Sequence, residues 1–312
     1  MQKDPFEIRR EENQIRMTLP NSGEIPHVGG IDIYGEEIQL NGEIGGDHII
    51  WLDFNSKKRF DLERRIDDAK RRDQKVADNL MQYLRRGGMS LSDASGHGIA
   101  AAKLTSRYHD AFLTSVSDFL YYEGRITIPL FENLNMRFCS SVDLENTITV
   151  LYGEIINDGT FRYISAGHPT PVIFSSEYNR IMDIHPERSK TSQPIGWVPS
   201  EDHLDRDIQF GPVPEKRKIF GLKKRYQVNE LKLLNKGDLI VLYTDGLSEL
   251  RLKDTDPDSE SPNVYYFPSG LQDRLIASKL LSARETFFAI KKDIFDLCTQ
   301  TDDIAYIIIK RE

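Results

Sequence analysis

The chain has 312 residues, 39% hydrophobic and 29% charged, the balance of a folded globular protein rather than a disordered one. Its 49 acidic against 41 basic residues leave a net charge of −8, which argues against a general nucleic-acid binder. Two cysteines, Cys139 and Cys298, are too few for a disulfide framework or a four-cysteine zinc site. No run approaches the roughly 18 apolar residues of a membrane span, and the charged start MQKDPFEIRREENQ lacks a signal-peptide core. The expected setting is cytoplasmic, with any membrane contact made through a partner.

Residues 1–20 read as a short polar helix, and 21–30, bearing Gly and Pro, as a connector. Together they form a leading regulatory segment before a domain over 31–312. From Ile31, IDIYGEEIQL and HIIWLDF predict two strands. Residues 57–86 are charged and free of Gly and Pro until they meet Gly87-Gly88. There Leu62, Ile66, Ala69, Asp73, Val76, Leu80 and Tyr83 recur at alternating spacings of four and three. This is an a/d-like stripe on one helix, interrupted by Asp73 and ended by the glycine pair. It is either a solvated helix lying on the domain body or a projecting arm that pairs with a partner or a second copy.

A strong helix pattern covers 99–122 and a weaker one 127–141. NTITVLYGEII, TFRYISAGH and PVIFSS read as consecutive antiparallel strands, with Asn157-Asp158-Gly159 turning between the first two. Residues 211–227 form a basic loop or long hairpin, DLIVLYTDG a buried strand, 252–264 a polar loop, 268–299 a helical stretch and DIAYIIIK a last buried strand. Strands, helices and strands again predict an α+β sandwich rather than a βαβ repeat.

The informative feature is the placement of aspartates. Asp47 follows Gly-Gly at a strand start, Asp93 lies in SDASGHG before a long helix, Asp245 ends an apolar strand, and Asp302 and Asp303 precede the last one. Any one of these alone reads as a turn or cap. Carboxylates gathered at one sheet end repel unless a cation neutralises them, and hard divalent ions such as Mg(II) or Mn(II) take oxygen ligands.

GIDIYGEE, GEIGGD, SDASGHGIAAA, YISAGHPTPVIF, QPIGW, NKGDLIVLYTDGLSE and TDDIAYIII follow the order and spacing of one family. The chain resembles the PPM-type phosphatases of the protein phosphatase 2C superfamily, in their bacterial SpoIIE-like branch, from about Ile31 to the C-terminus. QIRMTLP also resembles the segment that precedes such domains. The resemblance implies an αββα sandwich, two or more Mn(II) or Mg(II) ions, and hydrolysis of phosphoserine or phosphothreonine by a metal-bridging hydroxide. Residue by residue, it makes Asp93 the bridging carboxylate and Ala94 the donor of a backbone carbonyl. Asp47 becomes a ligand of the second ion, and Asp245 and Asp302 the remaining ligands. Asp303 becomes a supporting or third-metal residue, although its role and that of Asp302 can be exchanged.

Several positions depart from the family. Ser95 stands where eukaryotic relatives carry a catalytic His; His97, two residues on, reads as structural, as does His168. Ala305 replaces a Thr, removing a hydroxyl but no ligand. His48 and Ile49 replace an aromatic pair, which predicts a changed pocket wall, and the 57–86 helix predicts an altered sheet edge. The basic run KRKIFGLKKR is either a solvated loop or a dock for an acidic protein substrate. Three functions compete: an active metal-dependent Ser/Thr phosphatase, a non-catalytic scaffold of the same fold, and a hydrolase of small phosphoesters. No carboxylate is lost and no GxxxxGK[ST] loop is present, which favours the first. The branch implies a phosphorylated anti-sigma-factor antagonist as substrate. Control would come from a regulatory partner or homodimer through 1–30 or 57–86.

Overall fold

The computed structural model describes residues 20–40, 45–96, 98–141, 147–201, 221–253, 255 and 264–312. The expected helix before Pro20, His97, residues 211–220 of the basic loop and most of the 252–264 loop lie outside them.

Strands buried on both faces build two antiparallel sheets. The first joins β1 (Ile31–Ile38), β12 (Ile304–Arg311), β9 (Leu239–Tyr243), β6 (Val172–Ser175) and β7 (Arg180–Met182) in that order. The second joins β2 (Asp47–Leu52), β3 (Arg86–Ala94), β4 (Ile148–Ile156), β5 (Thr160–Ala166) and β8 (Asn229–Lys232). Ile33, Ile49, Leu91, Leu151, Ile240 and Ile307 belong to the apolar layer between the sheets. The short strands β10 (Arg251–Leu252) and β11 (Cys298–Thr299) pair separately.

Helices cover both outer faces. On the second sheet lie α1 (Leu62–Arg72), α2 (Gln74–Met81), α3 (Ile99–Tyr122) and α4 (Ile128–Ser141). On the first lie α6 (Ser269–Ala277) and α7 (Ala283–Leu297), while the single turn α5 (Asp245–Ser248) follows β9. This is the expected αββα sandwich.

Three local expectations change. Residues 57–86 are not one helix: Asp73 is extended and its carboxylate caps α2, accepting from the Lys75 and Val76 amides. Nor is the segment an arm, because Leu62, Ile66, Val76, Leu80 and Tyr83 are buried in the core beneath α3 and α4. Gly87-Gly88 does not end a helix but lies inside β3, an unpredicted strand. A Cβ at Gly87 would stand 2.7 Å from Pro26 and 2.8 Å from Val28, so glycine there serves close packing of the 20–30 connector. At the edge of the second sheet, β2 pairs with β3 from Asp47↔Asp93 to Leu52↔Gly88.

Further along, β5 and β6 do not pair; β6 crosses to the first sheet and pairs with β9 and β7. The 268–299 stretch is two helices, the second started by a Ser282–Glu285 capping box. Lys223, in the basic run, is not solvated. It is buried and bonds both carboxylate oxygens of Glu132 on α4, at 3.2 and 3.0 Å.

Because α2 is core, Leu80→Ala should destabilise the protein by about 2–5 kcal/mol, the range for emptying a buried leucine site. Urea unfolding would show it; a change within experimental error would mean that α2 only rests on the surface.

Candidate metal centre

The β2–β3 ladder places Asp47 directly opposite Asp93 at one end of the second sheet. Facing them across the sandwich, β9 ends at Tyr243 and the chain turns into α5 at Asp245. The loop before β12 brings Asp302 and Asp303 to the same end. Close approach requires Gly246: a Cβ there would stand 2.0 Å from the Asp303 carbonyl oxygen. Four chain segments thus deliver five of the sequence-predicted carboxylates to one place.

These carboxylates are not equivalent. Asp47 is buried, and the Thr244 hydroxyl donates to its Oδ2 at 2.6 Å. The Ala305 amide donates to the same hydroxyl at 2.9 Å, so a hydroxyl at 244 serves the site beside the Thr-to-Ala departure at 305. Asp303 is taken up by the backbone: Oδ1 accepts from Leu40 N and Oδ2 from Gly46 N, both at 2.9 Å. Asp302 is exposed, and its carboxylate accepts the adjacent Asp303 amide at 2.8 Å. Ala94, the predicted carbonyl donor, closes β3; its amide donates to Gly46 O at 3.2 Å.

Electrostatics couples the group. Burial, followed by Asp245, Asp302, Asp303 and Glu249, pushes the Asp93 carboxyl up to about 7. Burial and Asp93 hold Asp47 well above the usual carboxylate range, against the lowering bond from Thr244. Asp245 is raised by burial and by Asp302. Glu249 was not anticipated; it is raised by burial, then Asp245 and Asp302. Its signal in the sequence is the spacing of four from Asp245 around one helical turn.

Among the described residues, no three His, Cys, Asp or Glu side chains are already close enough together to hold an ion. The donor set nevertheless fits hard divalent cations: it is all oxygen, and the charges acting most strongly on Asp93 are all negative.

The histidines lie off this centre. The His48 Nδ1 is 2.9 Å from Glu37 Oε1 and its Nε2 2.9 Å from His109 Nδ1 on α3. Ile49 belongs to the layer between the sheets. His168 is buried, with Nδ1 3.0 Å from the hydroxyl of Thr149, the register partner of Asp93. Ser95 accepts the Thr147 amide on its hydroxyl at 2.9 Å.

The family model described as Stage II sporulation protein E (SpoIIE) matches residues 85–312. The chain belongs to this family. No curated protein matches it. Among solved structures it is similar to the RsbU and RsbW domains of Rv1364c from Mycobacterium tuberculosis. Identity is 20% and the TM-score 0.55, over 92% of this chain and 62% of that one. It is also similar to the PP2C phosphatase domain with a regulatory fragment of SpoIIE from Bacillus subtilis, at 13% identity and TM-score 0.54, over 90% and 62%. The SiaA-PP2C domain of Pseudomonas aeruginosa matches at 12% identity and TM-score 0.56, over 98% and 93%. The chain therefore spans 62% of the first two. These likenesses bear out the PP2C fold read from the motifs.

A carboxyl whose folded pKa stands above its unfolded value of about 3.9 favours folding while protonated and stops doing so as pH rises through the folded value. The metal-free SpoIIE-family domain should therefore lose stability between about pH 4 and pH 8, with Asp93 contributing on the order of a few kcal/mol. Thermal unfolding in EDTA should show a shallower pH slope for Asp93→Asn than for wild type. Parallel slopes would mean that Asp93 is under no repulsion.

Proposed function

We propose that the protein is a divalent-metal-dependent serine/threonine phosphatase acting on a phosphoprotein. The observation that carries this reading is the convergence of Asp47, Asp93, Asp245 and Asp302, with raised pKa values at Asp47, Asp93 and Asp245, at one end of a PP2C-type sandwich.

Asp93, Asp245 and Asp302, with Asp47 and the Ala94 carbonyl, would hold Mn(II) or Mg(II). When bound, such ions neutralise phosphoryl oxygens and make water more acidic. The chain's own part is positioning. Asp303 uses both oxygens to fix Leu40 and Gly46, which sets the loop carrying Asp47. Asp303 thus supports the site, while Asp302 keeps its carboxylate turned outward as a ligand. Thr244 orients Asp47 from the opposite sheet. Ser95 accepts the Thr147 amide and His168 meets Thr149 through Nδ1, so neither is assigned the role of general acid in this reading.

The proposed setting is cytoplasmic partner-switching signalling, with a phosphorylated anti-sigma-factor antagonist as substrate. Among the described residues no helix is long and apolar enough to cross a membrane. Control enters through 1–30 or through α1 and α2, by a regulatory partner or a second copy. The packing of α1 and α2 against the sheet that carries Asp93 supports the latter route.

Purified protein should hydrolyse an aryl phosphate and a phosphoserine peptide with Mn(II) or Mg(II) and not in EDTA. Asp245→Asn should lower turnover by at least about a hundredfold while leaving the melting temperature within a few degrees. Turnover that persists in EDTA, or survives in the variant, would sink the metal-centre reading.

A further inference from the structure

At the opposite end of β3 from Asp93 lies a cavity of about 750 Å³, between the outer face of the second sheet and the start of α4. Arg86, at its inner end, is seven residues from Asp93 along the strand, roughly 23 Å at about 3.3 Å per residue. None of the carboxylates of the metal centre lines it. The volume falls in the range of about 300–1,000 Å³ typical of small-molecule sites.

The charge of the cavity runs against that of the chain. Four arginines line it, Arg86, Arg125, Arg162 and Arg225, against Glu123 and Glu154. Glu154 is already satisfied: Arg86 pairs with it at 2.9 Å, and the Tyr83 and Tyr152 hydroxyls donate to it at 3.1 and 2.7 Å. Arg162 is paired with Glu230 at 2.7 Å. Arg125 and Arg225 are exposed at the rim, and among the described residues neither has an acidic partner. Glu123 is exposed and takes a 3.4 Å bond from Thr127. The two guanidinium groups line one cavity in a protein of net charge −8, and their planar forks suit phosphate oxygens. Beside them Ile126, Ile128, Pro129 and Val228 present a partly exposed aliphatic wall, able to cover a flat ring.

We propose that this cavity binds a nucleoside mono- or diphosphate, with Arg125 and Arg225 on the phosphate and the aliphatic wall on the ring. The site is separate from the metal centre and does not rest on the phosphatase reading. An acidic peptide would also satisfy the arginines, and the test separates it from a nucleotide.

The test is isothermal titration of the full chain with ADP, GDP, AMP, GMP, inorganic phosphate and an acidic peptide, in EDTA so that the carboxylate end cannot retain phosphate. At least one nucleotide should bind, and bind more tightly than inorganic phosphate. Arg125→Ala/Arg225→Ala should weaken it at least about tenfold, the effect of losing charge-assisted hydrogen bonds. Val228→Trp, which fills the apolar side from an exposed position, should also weaken it. Asp245→Asn should leave it unchanged. Both cavity variants should keep the wild-type melting temperature and metal-dependent turnover. The proposal is overturned if no nucleotide binds or if the double arginine variant binds as well as wild type. Loss of binding in Asp245→Asn, or a preference for inorganic phosphate or the acidic peptide, overturns it too.

Discussion

Like-charge repulsion at one end of the sandwich is the constraint around which the rest is arranged. Asp47 and Asp93 occupy the same rung of the β2–β3 ladder, a placement that by itself destabilises a sheet. The second sheet cannot relieve it by slipping, because a shift of one residue would turn Ile49 and Leu91 out of the core between the sheets. The repulsion is therefore held by the apolar register and blunted locally by hydrogen bonds. Thr244 takes one oxygen of Asp47, and Asp303 spends both of its own on backbone amides. What remains is mutual repulsion among Asp93, Asp245 and Asp302, a condition that a bound divalent ion relieves.

A buried polar chain braces the same end. Glu37 on β1 accepts from the Ile49 amide at 2.7 Å and meets His48, which meets His109 on α3. Burial, then the neighbouring His48 and Arg59, pulls the His109 imidazole down to about 3, so that ring stays neutral at physiological pH. One chain of side chains thus crosses from the first sheet through the second to its helix layer, one residue along from Asp47. Thr105 on α3 adds a 2.8 Å bond to the Gly46 carbonyl. Both bonds from α3 tie its position to the loop that carries Asp47.

The carboxylates were legible because each sits at the end of an apolar run, and Asp47, Asp93 and Asp245 also stand close to glycine, a pattern local in sequence. Glu249 was missed because its contribution depends on one helical turn folding back over Asp245. β3 was missed for a different reason. Gly87-Gly88 has the composition of a helix stop, but the glycines are there because Pro26, Val28, Leu52 and Phe54 press against the strand. Asp73 looked like a flaw in a stripe and is a cap that allows the chain to break into two helices. The crossing of β6 to the other sheet was not legible at all, since strand pairing is decided by which faces need covering and not by neighbours along the chain. The packing of 57–86 was left open for the same reason: an a/d stripe shows that a face wants burial but does not say against what.

The network around Glu132 shows how the segment beyond the metal end is fixed. Glu132 and Lys223 both have side chains only 1% exposed, and the Tyr226 amide and the Ser200 hydroxyl also bond to Glu132. Removing one partner of such a pair would strand a buried charge, so the pair specifies geometry more than it adds stability. Asn135, one turn along α4, bonds the Val198 carbonyl and the Gly196 amide. Both the entry at Ser200 and the return at Lys223 are thereby fastened to α4. Ile195, just before the entry, pairs with Ile148 on β4, and Ile148 pairs with Ala94 beside Asp93. A continuous set of bonds therefore runs from α4 through the base of the basic segment to the strand end that carries Asp93. Lys224, exposed next to a buried Lys223, is thereby presented from a fixed base.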